Sequence, residues 1–228
     1  MNEKDIQNFN TALNLYENNY SHAELINFLK NGSDVEKQAA ALKLEKIEDQ
    51  AQADIFMGNL TGCDGKIREA VSFRLPEFVS EKPELFTSFA DIFLDAIIDI
   101  NGNICRNTIS ALQNLKNFET FTNTFCKKLT LKASEIIPAI LAFDIQEGKY
   151  KINKEVFKLY WYLETIYQFC ECINDAVIFE IINKTKDIND YTIREKTAKI
   201  ISKIKGDENF SKIREELKND KNYYVRRF

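Results

Sequence analysis

Four short segments of this chain open in the same way. They are Asp64-Gly65-Lys66-Ile67-Arg68, Asn101-Gly102-Asn103-Ile104-Cys105, Asp190-Tyr191-Thr192-Ile193-Arg194 and Asn222-Tyr223-Tyr224-Val225-Arg226. Each places Asp or Asn first, then two residues, a branched aliphatic and, in three of the four, an arginine. A short polar side chain there accepts hydrogen bonds from the N–H groups that a new helix leaves without partners. Downstream of the first three aliphatic anchors the register also repeats. Offset +4 holds Val71, Thr108 and Thr197, offset +8 holds Leu75, Leu112 and Ile201, and offset +11 holds Phe78, Leu115 and Ile204. Offsets of 4, 8 and 11 trace one face of a helix and exclude strand alternation. The four segments are therefore expected to start helices that bury equivalent stripes.

The anchors at 67, 104, 193 and 225 are separated by 37, 89 and 32 residues. The long gap has room for a divergent unit around Ile152, and Ser33-Asp34-Val35 opens an earlier one 32 residues before Ile67. Units of this length hold two helices. One pair cannot cover its own apolar face, so such units stack. Only 7 Gly and 3 Pro occur in 228 residues, too few for the turns of an all-β fold. Hydrophobic residues make up 44% of the chain, enough for a core.

Periodicity predicts helices at about 3–18, 22–30, 34–48, 50–60, 64–80, 83–99, 103–117, 119–130, 132–144, 151–172, 174–186, 190–205 and 207–219. Pro83 suits the first turn of its helix. The reading is a single helical repeat domain over 1–228, with residues 1–30 as N-terminal capping helices and a looser break near 145–150. Asn222–Phe228 repeats the start of a unit, and it is expected to pack against 190–219 with Arg226 and Arg227 partly exposed.

The segment Asp64-Gly-Lys-Ile-Arg-Glu-Ala-Val-Ser-Phe-Arg-Leu-Pro-Glu-Phe78 resembles the HEAT-repeat family, and Asp190-Tyr-Thr-Ile-Arg-Glu-Lys-Thr-Ala-Lys-Ile-Ile201 is similar to it. Ala39-Ala40-Ala41-Leu42 resembles the family's run of small residues. Cys105 and Glu36 depart from the pattern by standing where the arginine would. The resemblance implies an all-α fold: an α-solenoid of stacked antiparallel helix pairs, a right-handed HEAT-like superhelix of armadillo type whose second helices line a concave surface. It also implies that the arginines pair with acidic groups of adjoining repeats.

Catalytic machinery is sparse. The one histidine, His22, has no nucleophile motif beside it, so an ordinary surface or capping role is expected. Cys170-Glu171-Cys172 points its thiols in different directions if helical, and no second pair completes a zinc site. Gly58, Gly62 and Gly65 form no phosphate-binding loop. No cofactor or metal is expected, and the chain is read as a non-enzyme. It has no apolar run of 18 residues and no basic-then-apolar N-terminus, so a cytoplasmic protein without a membrane partner is expected. Its five cysteines form no dense framework, which suits a reducing compartment.

Three features are candidates for partner binding. Asp91, Asp95 and Asp99, with Glu84 near the same face of the predicted 83–99 helix, would form an acidic ridge. Trp161 sits among Phe157, Tyr160 and Tyr162. Arg226 and Arg227 close a basic, aromatic tail. Charge is unevenly spread: residues 1–100 carry 9 Lys/Arg against 18 Asp/Glu, and residues 193–228 carry 11 against 6. The expected function is a protein–protein interaction or scaffolding module with another protein as partner. The alternative is nucleic-acid binding, or a HEAT-like protein of the DNA-alkylation-repair kind. The net charge of −4 weighs against it and the basic 193–228 segment for it.

Overall fold

Every segment that begins with the capped motif begins a helix. The computed structural model describes residues 3–141, 149–204 and 208–228, and among these it is all-helical, without a strand. Asp64 accepts from the N–H groups of Lys66 and Ile67, Asn101 from Asn103, Asp190 from Thr192 and Asn222 from Tyr224. The anchors and their partners are buried as the register requires: Leu75 and Leu112 are fully covered and Ile201 nearly so, while Ile204 is half-buried.

The chain divides into two compact units, residues 1–96 with 101–121, and residues 97–100 with 122–228. The first unit contains α1 (Glu3–Glu17), α2 (His22–Asn31), α3 (Asp34–Lys43), α4 (Gln50–Gly58), α5 (Gly65–Glu81), a 3₁₀ turn (Pro83–Phe86), α6 (Ala90–Ala96) and α7 (Gly102–Gln113). Here α3 lies between α1 and α5, and α5 between α3 and α7. α4 lies beside α2 and the 3₁₀ turn. Ser21 and Ser33 start α2 and α3 with reciprocal capping boxes to Glu24 and Glu36. Ala39, Ala40 and Ala41 are buried, and their small size lets α3 sit close to its neighbours. The core continues through Leu44, Phe56, Val71, Leu75 and Phe78, with Phe56 and Phe78 edge to face at 5.1 Å.

The second unit contains most of α8 (Glu119–Leu141), then α9 (Lys149–Phe169), a 3₁₀ turn (Cys170–Cys172), α10 (Asp175–Thr185), α11 (Tyr191–Lys203), α12 (Glu208–Lys218) and α13 (Tyr223–Arg226). α11 is central, touching α9, α10, α12 and α13, while α10 also meets α12. Phe125 packs on Phe169 at 5.1 Å. The Tyr162 hydroxyl donates to the Leu129 carbonyl at 3.0 Å, and burial pushes that phenol's pKa upward. Arg214 donates to the Ile201 and Ile204 carbonyls and so closes the C-terminus of α11.

Polar ties in both units join residues 30 to 36 positions apart. In the first, Asn59 donates to the Leu29 carbonyl and Arg74 to that of Leu44, each across 30 positions. Lys82 reaches Glu48 across 34 and Asn107 reaches Ser72 across 35. In the second, Tyr162 and Leu129 are 33 apart, Lys196 and Glu164 are 32 apart, and Lys203 and Tyr167 are 36 apart.

Four predicted helices are corrected. The helix expected over 34–48 ends at Lys43. Beyond it the backbone stays non-helical, and the carbonyls of Leu44 and Glu48 are taken by Arg74 of α5 and by Lys82, which caps the end of that helix. The helix expected over 83–99 is broken into the 3₁₀ turn and α6. The Thr87 hydroxyl donates to the Glu84 carbonyl, a local bond that competes with the helical ladder. The two helices expected at 119–130 and 132–144 are one helix, α8. Pro138 enters only in its last turn, where the missing N–H removes a single ladder bond. Residues 142–148, which include most of the expected break near 145–150, lie outside the described residues.

Candidate functional site

Tyr160, Glu164 and Tyr167 fall at i, i+4 and i+7 on α9, and Lys196, Lys199 and Lys203 fall at i, i+3 and i+7 on α11. These spacings put three side chains of each helix on the facing sides of the α9–α11 pair. Lys196 Nζ bonds Glu164 Oε2 at 2.5 Å, and Lys199 Nζ reaches both carboxylate oxygens at 3.1 and 3.2 Å. Gln168 Nε2 donates to Glu164 Oε1 at 3.0 Å. The lysines also lie over aromatic rings: Lys196 is 4.3 Å from the centre of Tyr160, and Lys199 and Lys203 are each 4.1 Å from that of Tyr167. Such contacts help hold ammonium groups in place. Lys196 is buried in its pair with Glu164, whereas Lys199 and Lys203 are half-buried and reachable by anions. Trp161 continues the aromatic surface. It is half-buried, edge to face with Tyr160 at 5.3 Å and with Phe157 at 6.2 Å.

The electrostatics of this cluster favour fixed charge. Burial pushes the pKa of Glu164 upward, but the bond and charge of Lys196, with Gln168 and Lys199, outweigh it and leave the carboxyl below its ordinary value. Burial pushes Lys196 down, and its bond and attraction to Glu164, helped by Tyr160, leave it above its ordinary value. Both groups are thus charged near neutrality, whereas a general acid or base works best with a pKa near the working pH. The arrangement suits recognition of polar or anionic groups better than proton transfer.

The residues singled out in the sequence fall into three places. Glu84 is exposed in the 3₁₀ turn. Asp91 and Asp95 are exposed on α6 at i and i+4. Asp99 follows the end of α6 and is half-buried. The break in the 83–99 helix therefore prevents the four-residue ridge on a single helix. Trp161 belongs to the α9–α11 face. Arg226 and Arg227 are exposed at α13 and have structural contacts. Arg226 Nη1 donates to the Asp220 and Lys221 carbonyls, each at 3.0 Å, and Arg227 Nη2 meets Glu195 Oε1 at 2.6 Å.

Arg226 repeats a contact made twice elsewhere. Arg68 Nη1 donates to the Gly62 and Cys63 carbonyls, and Arg194 Nη1 to those of Ile188 and Asn189. In all three the arginine clasps the carbonyls five and six residues behind it, just before its own helix starts. Cys105, at the fourth start, is buried. His22 Nε2 bonds Gln52 Oε1 at 2.8 Å.

The sequence reading missed the lysine row of α11, whose signal is its i, i+3, i+7 spacing, and its partners on α9 leave no local signal because they lie 32 to 36 residues away. The first unit has a cleft of about 340 Å³ at the starts of α3 and α5, lined by residues that include Asp34, Lys37, Asn59 and Asp64. Among the described residues no group of His, Cys, Asp and Glu could hold a metal ion, and no helix is long and apolar enough to cross a membrane. No protein-family model, curated protein or solved structure matches the chain.

Proposed function

We propose that this chain is a HEAT-like α-solenoid that works as a protein-binding module, with the α9–α11 face as its docking surface for an acidic segment of another protein. The lysine row seated over Tyr160 and Tyr167 carries this reading. The half-buried ammonium groups of Lys199 and Lys203 and a band of half-buried rings are held in place before any partner arrives, which lowers the ordering cost of binding. The repeated capped starts, the repeated arginine clasps and the polar ties one repeat apart support a stacked-repeat scaffold. The α9–α11 cluster has a second reading, a single-stranded nucleic acid, because lysines beside aromatic rings also suit phosphates and bases. Glu164 favours the first. It takes up the charge of Lys196 and shares that of Lys199, so the face is less basic than a phosphate-tracking groove requires.

Affinity capture should compare the wild type with a Lys199→Glu/Lys203→Glu variant, alongside a salt titration against single-stranded RNA and DNA. The expected result is a protein partner retained by the wild type and lost by the variant. Identical capture by both would remove the α9–α11 face. Nucleic-acid binding that weakens steeply with salt and vanishes in the variant would transfer the proposal to the second reading.

A further inference from the structure

Two surface patches remain once the core and the α9–α11 face are accounted for. On α1, Ile6, Phe9, Leu13 and Tyr16 follow at spacings of three, four and three, the seam spacing of a helix that packs against a partner. All four are exposed, Phe9 at 60% and Tyr16 at 61%. α1 is seated by another face: Leu15 is buried, and Lys43 of α3 donates to the carbonyls of Tyr16 and Asn18. Phe73 is exposed singly on α5, and the exposed Leu131 and Leu141 lie ten residues apart on α8, which is ordinary. Four in a row are not.

The second patch surrounds α13. Tyr191, Tyr223, Tyr224 and Phe228 are exposed, and Tyr224 lies 6.2 Å from Tyr191 and 5.7 Å from Tyr223. Arg227 covers Tyr224 and Phe228 at 5.3 and 5.0 Å. Exposed Lys221 and Arg226 complete it.

We propose that these patches are the two halves of one contact: α1 of one copy docks on the α13 patch of a second copy. Charge selects this pairing. Among the described side chains α1 carries the exposed acid Glu17 and no base, while residues 221–228 carry Lys221, Arg226 and Arg227 and no acid. Joining α1 to α1, or α13 to α13, sets like charge against like, whereas α1 against α13 joins opposite signs while covering apolar surface on both sides. The contact is heterologous, so a pair of copies keeps one free patch of each kind and the association can extend. It is small and polar-rimmed, so it forms only at high protein concentration.

Sedimentation of the full chain tests this between about 10 and about 500 µM, the range for a weak contact of this size. The wild type should rise above the 26.5 kDa monomer mass and pass the dimer, with the rise suppressed by added salt. A Phe9→Glu/Leu13→Glu variant and a Tyr223→Glu/Tyr224→Glu variant should each stay monomeric alone. Mixed in equal amounts they should form a dimer that grows no further, because only one complementary pair of patches survives. Either variant self-associating alone would overturn the pairing, as would a mixture that stays monomeric. A wild type that is monomeric throughout would overturn the proposal without reference to any variant. The substituted side chains are exposed, and helical dichroism confirms folding. Serine replacements at the same positions serve if a glutamate variant does not fold.

Discussion

Arg194 and Asp220, 26 residues apart, meet through two bonds, Nε to Oδ2 at 2.6 Å and Nη2 to Oδ1 at 3.2 Å. The side chains are only 8% and 10% exposed. The remaining guanidinium nitrogen donates to the Ile188 and Asn189 carbonyls, and Asp220 also accepts from the Asn222 N–H. One arginine therefore joins the start of α11 to the turn that launches α13. Replacing Arg194 by Ala leaves a largely covered carboxylate without its counter-charge and should cost about 3 kcal/mol. Lysine should recover little, since it cannot supply the fork. Arg68→Ala, at a more exposed clasp, should cost under about 1 kcal/mol. Urea denaturation checks this order, and equal losses at both sites would contradict it.

Leu75, Leu112 and Ile201 occupy the same register position in three helices and are all buried. Truncation of each to Ala should cost about 2–5 kcal/mol, the range for a large aliphatic lost from a close-packed core. Losses near zero at all three would show that the repeat register has no structural weight.

Acid should destabilise the fold through Asp220 and Glu164. The Asp220 pKa is held below its ordinary 3.8 chiefly by the Arg194 hydrogen bond. Burial opposes this, and the Asn222 N–H adds to it. Glu164 is held below its ordinary 4.5 against burial by Lys196, Gln168 and Lys199. A carboxyl with a lowered folded pKa binds protons more readily when unfolded. Its stabilising contribution is thus complete above the ordinary pKa and is lost as pH falls through the lowered one. Stability should show no loss from these two groups between neutrality and about pH 5, then decline. Asp220→Asn should start less stable and decline less. A wild-type loss between pH 7 and 5 that the Asn variant lacks would contradict the assignment.

The C-terminal turn should behave as part of the fold. Val225 is fully buried, and the Val225 and Arg226 amides both donate to the Asn222 carbonyl. One turn of helix is unstable alone, so any protection there must come from packing on α11 and α12. Slow hydrogen exchange is expected at Val225 and Arg226, and Val225→Asp should abolish it. Immediate exchange at both amides in the wild type would mean that the turn is not docked.

Five thiols should sort into two classes. Cys63 and Cys172 are exposed, whereas Cys105, Cys126 and Cys170 are buried. A soluble disulfide reagent should titrate two thiols quickly in the native protein and the other three only on unfolding. Rapid reaction of all five in the native state would contradict the burial of α7, α8 and the turn after α9.

Helix starts were legible because they are made by neighbours. The acceptors Asp64, Asn101, Asp190 and Asn222 meet N–H groups two or three residues ahead, so residue type and spacing suffice. The buried stripes were legible for the same reason, since a period near 3.6 needs no knowledge of the neighbouring helix. The loss of the helix at Thr87 and its persistence through Leu131 were not legible. Periodicity runs through both places, and the outcome turns on which backbone groups other elements claim.

The α9–α11 cluster marks the same boundary. That this chain is helical, where most helices begin and which faces go inside all follow from residue order, because those choices rest on contacts within a turn or two. That Glu164 holds Lys196 and Lys199, that Tyr167 underlies Lys199 and Lys203, and that Asp220 receives Arg194 emerges only in the packed fold. Each of those pairs spans 26 to 36 residues, and a pairing at that range depends on how one helix is laid against the next, not on the spacing within either.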